Sequence, residues 1–311
     1  MTQPRVALVT CREIPDLTPD DLPLLEAIAA LGVTADAVVW DDPQVDWAAY
    51  RLVVIRSTWD YVQRRDEFLA WARSVPNLVN AARTVEWNTD KQYLRDLEAS
   101  GVPVIPTVWL DPERHFSKRA VHTRMPAYGD FVVKPTISAR AKEAGRYQPV
   151  DVGSRMKAIQ HVMRLLDSGR PVMIQPYIQS VDQEGETSLV FIGGEFQHAV
   201  KKKALLNGPG APTVGLALYR PHDVMSAVTV GAAGLAVAEQ ALAAAAEHLG
   251  VEASDFLYAR VDLLQGDSGP LVIELELTEP ALWLRYSGDH PTTERFAAAI
   301  VARAGQASRE G

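Results

Sequence analysis

Apolar residues fall along this chain in two kinds of short run, and the change from one kind to the other divides it. In the first eighty residues the runs are solid. Arg5-Val-Ala-Leu-Val-Thr10, Val38–Trp40 and Leu52–Ile55 have the pattern of strands buried on both faces. Between them Pro23–Leu31 and Asp66–Ser74 predict helices, and Gly32 stands where a C-cap glycine is favoured. This alternation predicts an open α/β domain over residues 1–84. No Gly-x-Gly-x-x-Gly follows the first strand, so the dinucleotide fingerprint is missing.

Residues 85–176 predict a linker helix and a small lid. Asn88 or Thr89 can cap a helix reaching to about Ser100, and Val102–Thr107, with two prolines, reads as an extended connector. Phe131–Lys134 and Val172–Gln175 predict strands around a helix at Arg155–Asp167. The charged stretch from Pro135 to about Pro149 predicts a mobile loop. Residues 177–311 predict an antiparallel domain: strands at Ser188–Ile192 and Phe196–Lys201, an alanine-rich helix to Leu249, a hairpin over 257–277 and a helix near Thr293–Arg303.

The hairpin carries the densest chemistry. Side chains alternate faces along a strand, so Ile273, Leu275 and Leu277 predict a core face, with Glu274, Glu276 and Thr278 opposite. A turn symmetric about Ser268 sets Asp262 opposite Glu274 and Arg260 opposite Glu276. Three carboxylates crowded this way repel unless a cation lies among them, and a hard divalent ion such as Mg²⁺ suits oxygen ligands. A solvated face with Arg260 paired to Glu276 is the plainer alternative.

Lys134 ends an apolar strand before the charged loop, and Lys91 lies near a helix start; each can neutralise a phosphate or simply face solvent. After Met173-Ile-Gln175, Pro176 breaks the strand, leaving backbone groups around Tyr177 and Ile178 able to read an adenine edge. Asp182, Glu184 or Glu186 could hold ribose hydroxyls. In Lys201-Lys202-Lys203, alternation sends Lys201 and Lys203 one way and Lys202 the other, with one expected to work. Arg56-Ser57-Thr58-Trp59-Asp60-Tyr61 follows a buried strand at its C-terminal end, where open α/β sheets place ligands. That segment could grip both charged ends of an amino acid, or pack against the next domain.

Composition narrows the partners. A net charge of −8 over 311 residues argues against nucleic acid, which needs a positive field. A single cysteine, Cys11, excludes an intramolecular disulfide and cysteine-based zinc sites. No secretory pattern is visible at the N-terminus, and the alanine-rich run carries Glu239 and Glu247, so a cytoplasmic chain with no membrane partner is expected. A homo-oligomer is compatible with all of this.

In order along the chain, Lys91, Val-Val-Lys134-Pro, Gln175-Pro-Tyr-Ile, Gly185-Glu-Thr-Ser, Ala259-Arg260-Val-Asp262 and Glu274-Leu-Glu276-Leu-Thr-Glu-Pro280 resemble the ATP-grasp superfamily. The last two are similar to the Arg-x-Asp and Glu-x-Asn magnesium motifs of D-alanine–D-alanine ligases and glutathione synthetases, with Glu276 standing where Asn is usual. Arg56–Tyr61, Glu184-Gly-Glu-Thr-Ser-Leu, His198-Ala-Val-Lys-Lys and the segment after Glu276 resemble, more narrowly, the O-ureido-serine cyclo-ligase (cycloserine synthetase) group.

The resemblance implies an α/β ATP-grasp fold and an ATP-dependent ligase using one or two Mg²⁺ ions. It implies Asp262, Glu274 and Glu276 as metal ligands and Arg260 and Lys203 as catalytic groups. Lys91, Lys134, Ser138, Gln175, Tyr177, Ile178, Glu184 and Lys201 would hold ATP, and Arg56 to Tyr61 a small amino-acid-like substrate. The reaction expected is ring closure of O-ureido-D-serine to D-cycloserine. An intermolecular carboxylate–amine ligase and a nucleotide-binding regulator remain the alternatives.

Overall fold

A computed structural model of the chain describes residues 4–139, 143–203 and 225–306. The first sheet is parallel. β1 (Arg5–Thr10) is its centre, followed by α1 (Pro23–Ala30), β2 (Thr34–Val39), β3 (Leu52–Ser57), α2 (Arg65–Ser74) and β4 (Leu78–Val79), in the order β2-β1-β3-β4. The solid apolar runs arise because both faces are covered: Val6, Leu8 and Val54 pack toward α1, while Ala7, Val9 and Ile55 pack toward α2.

The predicted single helix over 88–100 is two helices. α3 (Ala82–Asn88) ends on Asn88, and α4 (Tyr93–Ala99) follows a turn. Asn88 caps nothing. Its side-chain amide donates to Leu275 O at 2.8 Å and its carbonyl accepts from Leu277 N at 2.7 Å. α4 then packs Tyr93, Leu94 and Leu97 into the central core rather than the lid.

The lid sheet is antiparallel, formed by β5 (Val108–Leu110), β6 (Phe131–Pro135), β7 (Gly145–Tyr147) and β8 (Val172–Pro176) in the order β5-β8-β6-β7. α5 (Lys118–His122) and α6 (Val152–Asp167) pack on it through Val121, Ala158, Val162 and Leu165. Residues 140–142 of the charged loop lie outside the described residues.

After α7 (Ser180–Glu184) comes the central antiparallel sheet: β9 (Glu186–Ile192), β10 (Glu195–Lys202), β11 (Met225–Val228), β12 (Tyr258–Gly266) and β13 (Gly269–Glu276), ordered β11-β10-β9-β12-β13. One face is apolar, with Leu189, Phe191, Ala199, Ala259, Val261 and Leu275 under α8 (Ala232–Leu249). α9 (Thr292–Gln306) turns back onto α1, joining Phe296 and Ile300 to Leu24 and Ile28, so the chain's last helix seals the N-terminal sheet to the central one.

β13 is an edge strand, and side chains complete its outer edge. Besides Asn88, Tyr93 OH accepts from Leu275 N at 2.9 Å and Asn80 donates to Leu277 O at 2.7 Å. These groups stand in for a further strand and hold Glu274 and Glu276 in register. Asn88→Ala strands two buried backbone groups, which predicts a loss of about 2–4 kcal/mol. Chemical denaturation should read that loss, and a change below about 0.5 kcal/mol, the size of a surface substitution, would show that the edge is held otherwise.

Candidate active site

The second face of the central sheet is polar at one end. Across it, β10 pairs with β9 so that Lys202 lies opposite Glu186, and β12 pairs with β9 so that Asp262 lies opposite Ser188. On the far side Asp262 lies opposite Glu274 and Arg260 opposite Glu276. Strand parity therefore puts Glu186, Ser188, Lys202, Arg260, Asp262, Glu274 and Glu276 on one surface.

The hairpin register is the one expected, but it is reached differently. The turn is tight, at Asp267–Ser268, and a bulge after Asp262 restores the pairing. The extra residue is Ile273, which leaves the core face. Val272 is buried in its place, while Ile273 joins Ile105, Leu264, Tyr177 and Ile178 in a separate apolar patch beneath the lid.

Charges on this surface interlock. Arg260 forks onto Asp262, with Nε–Oδ1 at 2.8 Å and Nη2–Oδ2 at 2.9 Å, and reaches Glu276 Oε1 at 2.5 Å. Lys202 bridges Glu186 and Asp262, the latter at 3.1 Å. Trp283 lies against both cations, its ring 4.5 Å from the Arg260 guanidinium and 4.9 Å from the Lys202 ammonium. Lys91 Nζ lies 2.9 Å from Glu274 and donates to Ser138 O at 2.6 Å, tying the linker to the turn after β6.

The titration pattern follows from these contacts. Burial opposes ionisation of Asp262, but Arg260 and Lys202 overcome it and hold the carboxyl well below its ordinary range. Burial likewise opposes Glu274, and Lys91 outweighs it. Burial pushes Glu276 up to about 8, with Glu274 and Glu279 adding repulsion, and pushes Glu186 up to about 7. Lys134 is different. Burial and the neighbouring Lys91 depress its amine to about 8, and among the described residues no carboxylate pairs with it.

Three oxygens, one each from Asp262, Glu274 and Glu276, lie within 4.8 Å of one another. Small side-chain shifts would let them share one hard cation, which would favour the charged form of a Glu276 carboxyl raised by burial and, beyond that, by Glu274 and Glu279. The residues present therefore fit a divalent metal.

Other expected positions fall apart. Lys203 is exposed beyond β10, and Lys201 lies opposite Thr187 on the other face, so the structure brings Lys202 to the carboxylates instead. Glu184 is exposed at the end of α7. Gln175 is buried, its side chain donating to Thr107 Oγ1 at 2.9 Å. Tyr177 gives its hydroxyl to Asp182 and its ring to Arg146, while Ile178 packs in the patch with Ile273.

The Arg56–Tyr61 segment is spent mostly on packing. Arg56 is fully buried, bonded to Asp21 at 2.8 Å and to Pro280 O at 3.1 Å, and lies over the rings of Tyr258 and Phe296. An amino acid's carboxylate would have to compete with Asp21 for it. Ser57 bonds Thr10 at 2.8 Å, and Asp60 accepts from Trp40 at 3.0 Å. Trp59 donates to Glu279 O at 3.1 Å, and Tyr61 supports the Glu279 side chain. Three buried hydroxyls, Thr58, Thr136 and Ser188, have no hydrogen-bond partner among the described residues. Sequence reasoning passed over Thr136, whose place two residues after Lys134 was the available signal, and noted Ser188 only within Gly185-Glu-Thr-Ser. The position of Ser188 opposite Asp262 emerges from the pairing of β12 with β9.

The chain is similar in sequence and fold to known proteins. Residues 6–82 match the family model "D-cycloserine synthetase DcsG, N-terminal domain". The chain is 39% identical over 307 residues to the cycloserine biosynthesis protein DcsG of Streptomyces lavendulae, covering 96% of this chain and 98% of that protein. The crystal structure of D-cycloserine synthetase DcsG superposes with a TM-score of 0.85 at 39% identity, over 96% of this chain and 99% of that one. A RimK domain ATP-grasp protein from Sphaerobacter thermophilus, at 19% identity, shares the fold with a TM-score of 0.63, covering 96% and 99%.

Proposed function

We propose a reaction for this chain from one premise: it belongs to the D-cycloserine synthetase family, on the ATP-grasp fold, and is an ATP-dependent ligase. The substrate is O-ureido-D-serine, and the bond formed is the ring amide of D-cycloserine. The observation that carries the chemistry is a pairing of opposites. Carboxylates of Asp262, Glu274 and Glu276 gather at one edge of a surface whose other members are Arg260, Lys91, Lys202 and the unpaired Lys134.

Lys134 is a half-buried cation with no ion-pair partner among the described residues, and the ATP phosphates would supply one. Lys91 and Lys202 flank the same place, and the patch of Ile105, Ile178, Leu264 and Ile273 offers a dry slot for adenine. Asp262, Glu274 and Glu276 would hold Mg²⁺, which neutralises phosphate oxygens when bound. Arg260, kept charged by Asp262 and Glu276, faces the substrate carboxylate and stabilises the negative charge that grows there. That carboxylate takes the γ-phosphoryl group of ATP, releasing ADP. The oxygen-bound nitrogen of the ureido group then attacks the acyl carbon and displaces phosphate, and water cleaves the carbamoyl group from that nitrogen as CO₂ and ammonia. Intramolecular attack gains a large effective molarity. Trp283 and the closed lid would keep water from the acyl phosphate.

Among the described residues no helix is long and apolar enough to cross a membrane. An enzyme consuming ATP and a free amino acid is expected in the cytoplasm.

Substrate labelled with ¹⁸O in its carboxylate tests the phosphorylation step. One labelled oxygen should appear in inorganic phosphate per turnover, with ADP as the nucleotide product. Label confined to the organic product, or AMP in place of ADP, would exclude the acyl phosphate.

The unpaired cation makes a second prediction. Lys134→Met removes a half-buried charge that the apo protein holds at a cost, since burial and the neighbouring Lys91 lower the amine from 10.5 to about 8. Apo stability should rise by on the order of 1 kcal/mol, seen as a Tm higher by roughly 2–4 °C. Affinity for ATP should fall by about tenfold or more, because a charge-assisted contact to phosphate is lost. A lower Tm with unchanged ATP affinity would mean that Lys134 has a structural partner.

A further inference from the structure

One carboxylate beside the reaction surface has no role in the chemistry above. Glu279 follows β13 and is 7% exposed. It is absent from the group of oxygens that could share a metal. Every other carboxylate there has a cation: Asp262 has Arg260 and Lys202, Glu274 has Lys91, Glu276 has Arg260 and Glu186 has Lys202. Glu279 has none, since no lysine, arginine or histidine among the described residues forms an ion pair with it.

Its position is nevertheless built. Trp59 bonds its backbone carbonyl at 3.1 Å, and Arg56 bonds the carbonyl of Pro280 at 3.1 Å. The Tyr61 hydroxyl supports the carboxyl itself, and Lys91, Glu274 and Arg260 are the site charges that act on it. Residues of the N-terminal domain thus hold a buried carboxyl at the border of the reacting surface, where burial pushes it up to about 7 and no ion pair holds it charged. A buried carboxylate is costly unless a cation meets it. The substrate proposed above has one cation, an α-ammonium one carbon away from the carboxylate that reacts.

We infer that Glu279 receives the α-ammonium group of the substrate, so that the site selects an amino acid over a plain carboxylic acid while Arg260 faces the reacting carboxylate. This rests on the proposed reaction and adds the group that recognises the substrate's second charge. It also explains why the Arg56–Tyr61 segment is so firmly packed. Those residues fix the stretch of chain that carries the ammonium site, and Arg56 itself does not touch the substrate.

The test compares O-ureido-D-serine with its analogue bearing hydrogen in place of the amine, following ADP for the wild type and Glu279→Gln. Wild type should prefer the amino compound in kcat/KM by about 30-fold or more, the loss expected when one member of a buried charge pair is missing. Glu279→Gln should bring the two compounds within about fivefold, mainly by raising KM for the amino compound, with the KM for ATP unchanged. Glu279→Asp, which keeps the charge, should retain about tenfold preference.

A Glu279→Gln enzyme that keeps the full preference would overturn the inference, because a neutral acid bonded to Tyr61 is then the right description. Equal losses for both compounds would also overturn it, leaving a purely structural role. Turnover of neither compound by the wild type is a different failure and would reject the proposed reaction together with this site.

Discussion

Glu274→Gln is expected to lower kcat by about 10³-fold or more with only a modest fall in Tm. The glutamine can still accept from Lys91, which lies 2.9 Å from the native carboxylate, so the local hydrogen bonding survives. What disappears is one negative charge from a set of three whose oxygens lie within 4.8 Å of one another. Removing it relieves repulsion on Glu276, whose carboxyl is pushed up by burial, Glu274 and Glu279, but it also gives up the ion pair by which Lys91 holds Glu274 charged, so the apo protein loses a modest part of its stability. The cost falls on holding Mg²⁺ against the ATP phosphates. ADP release at saturating ATP and a range of Mg²⁺ concentrations reads this directly. Activity within about tenfold of wild type, less than the several kcal/mol a catalytic metal contributes, would remove Glu274 from the metal site.

The second large effect separates adjacent lysines. Lys202→Met should reduce kcat/KM by about 100-fold or more, whereas Lys203→Met should stay within about twofold. Lys202 is nearly buried, bridges Glu186 and Asp262, and lies against Trp283, whereas Lys203 is exposed past the strand end. Without Lys202, Glu186 loses its partner and Asp262 keeps only Arg260, so a stability loss of about 3 kcal/mol accompanies the kinetic one. Assays well below the lowered Tm separate the two. A large loss in Lys203→Met with a mild one in Lys202→Met would show that β10 shifts register when ATP binds.

These lysines also show where sequence reading stops. Alternation correctly divides Lys202 from Lys201 and Lys203, but choosing the working face requires the pairing of β10 with β9, which puts Lys202 opposite Glu186. That pairing is a tight hairpin about Gly193-Gly194, but the neighbour that makes its face the working one, β12 with Asp262, pairs with β9 from about seventy residues away. The carboxylate hairpin was legible because both of its strands and its turn are contiguous. Even so, the pairing of Asp262 with Glu274 came out right through a compensation, since a shorter turn and one bulged residue add to the expected offset. Ile273 shows the difference: it sits with Tyr177 and Ile178 instead of the core.

Burial was harder to read than pattern. Arg56 looked like a binding residue because it ends a buried strand, but the docking of α9 and the loop at 280 onto that strand end encloses it with Asp21. Asn88 looked like a helix cap because asparagine favours that position. Only the approach of β13 shows that its amide is used to finish a sheet edge. Glu279 was visible within the motif after β13, yet its significance depends on which neighbouring carboxylates already have cations, and that is a property of the folded surface.

The most direct measurement is to incubate the protein with Mg-ATP and O-ureido-D-serine and follow nucleotide, phosphate and organic product by mass spectrometry. D-Cycloserine formed with one ADP, one phosphate and, from the ureido carbamoyl group, one CO₂ and one ammonia per ring is the predicted result. ADP formation only when a second amine is supplied would contradict ring closure and identify an intermolecular ligase, and no ADP with any amino acid would contradict catalysis by this site.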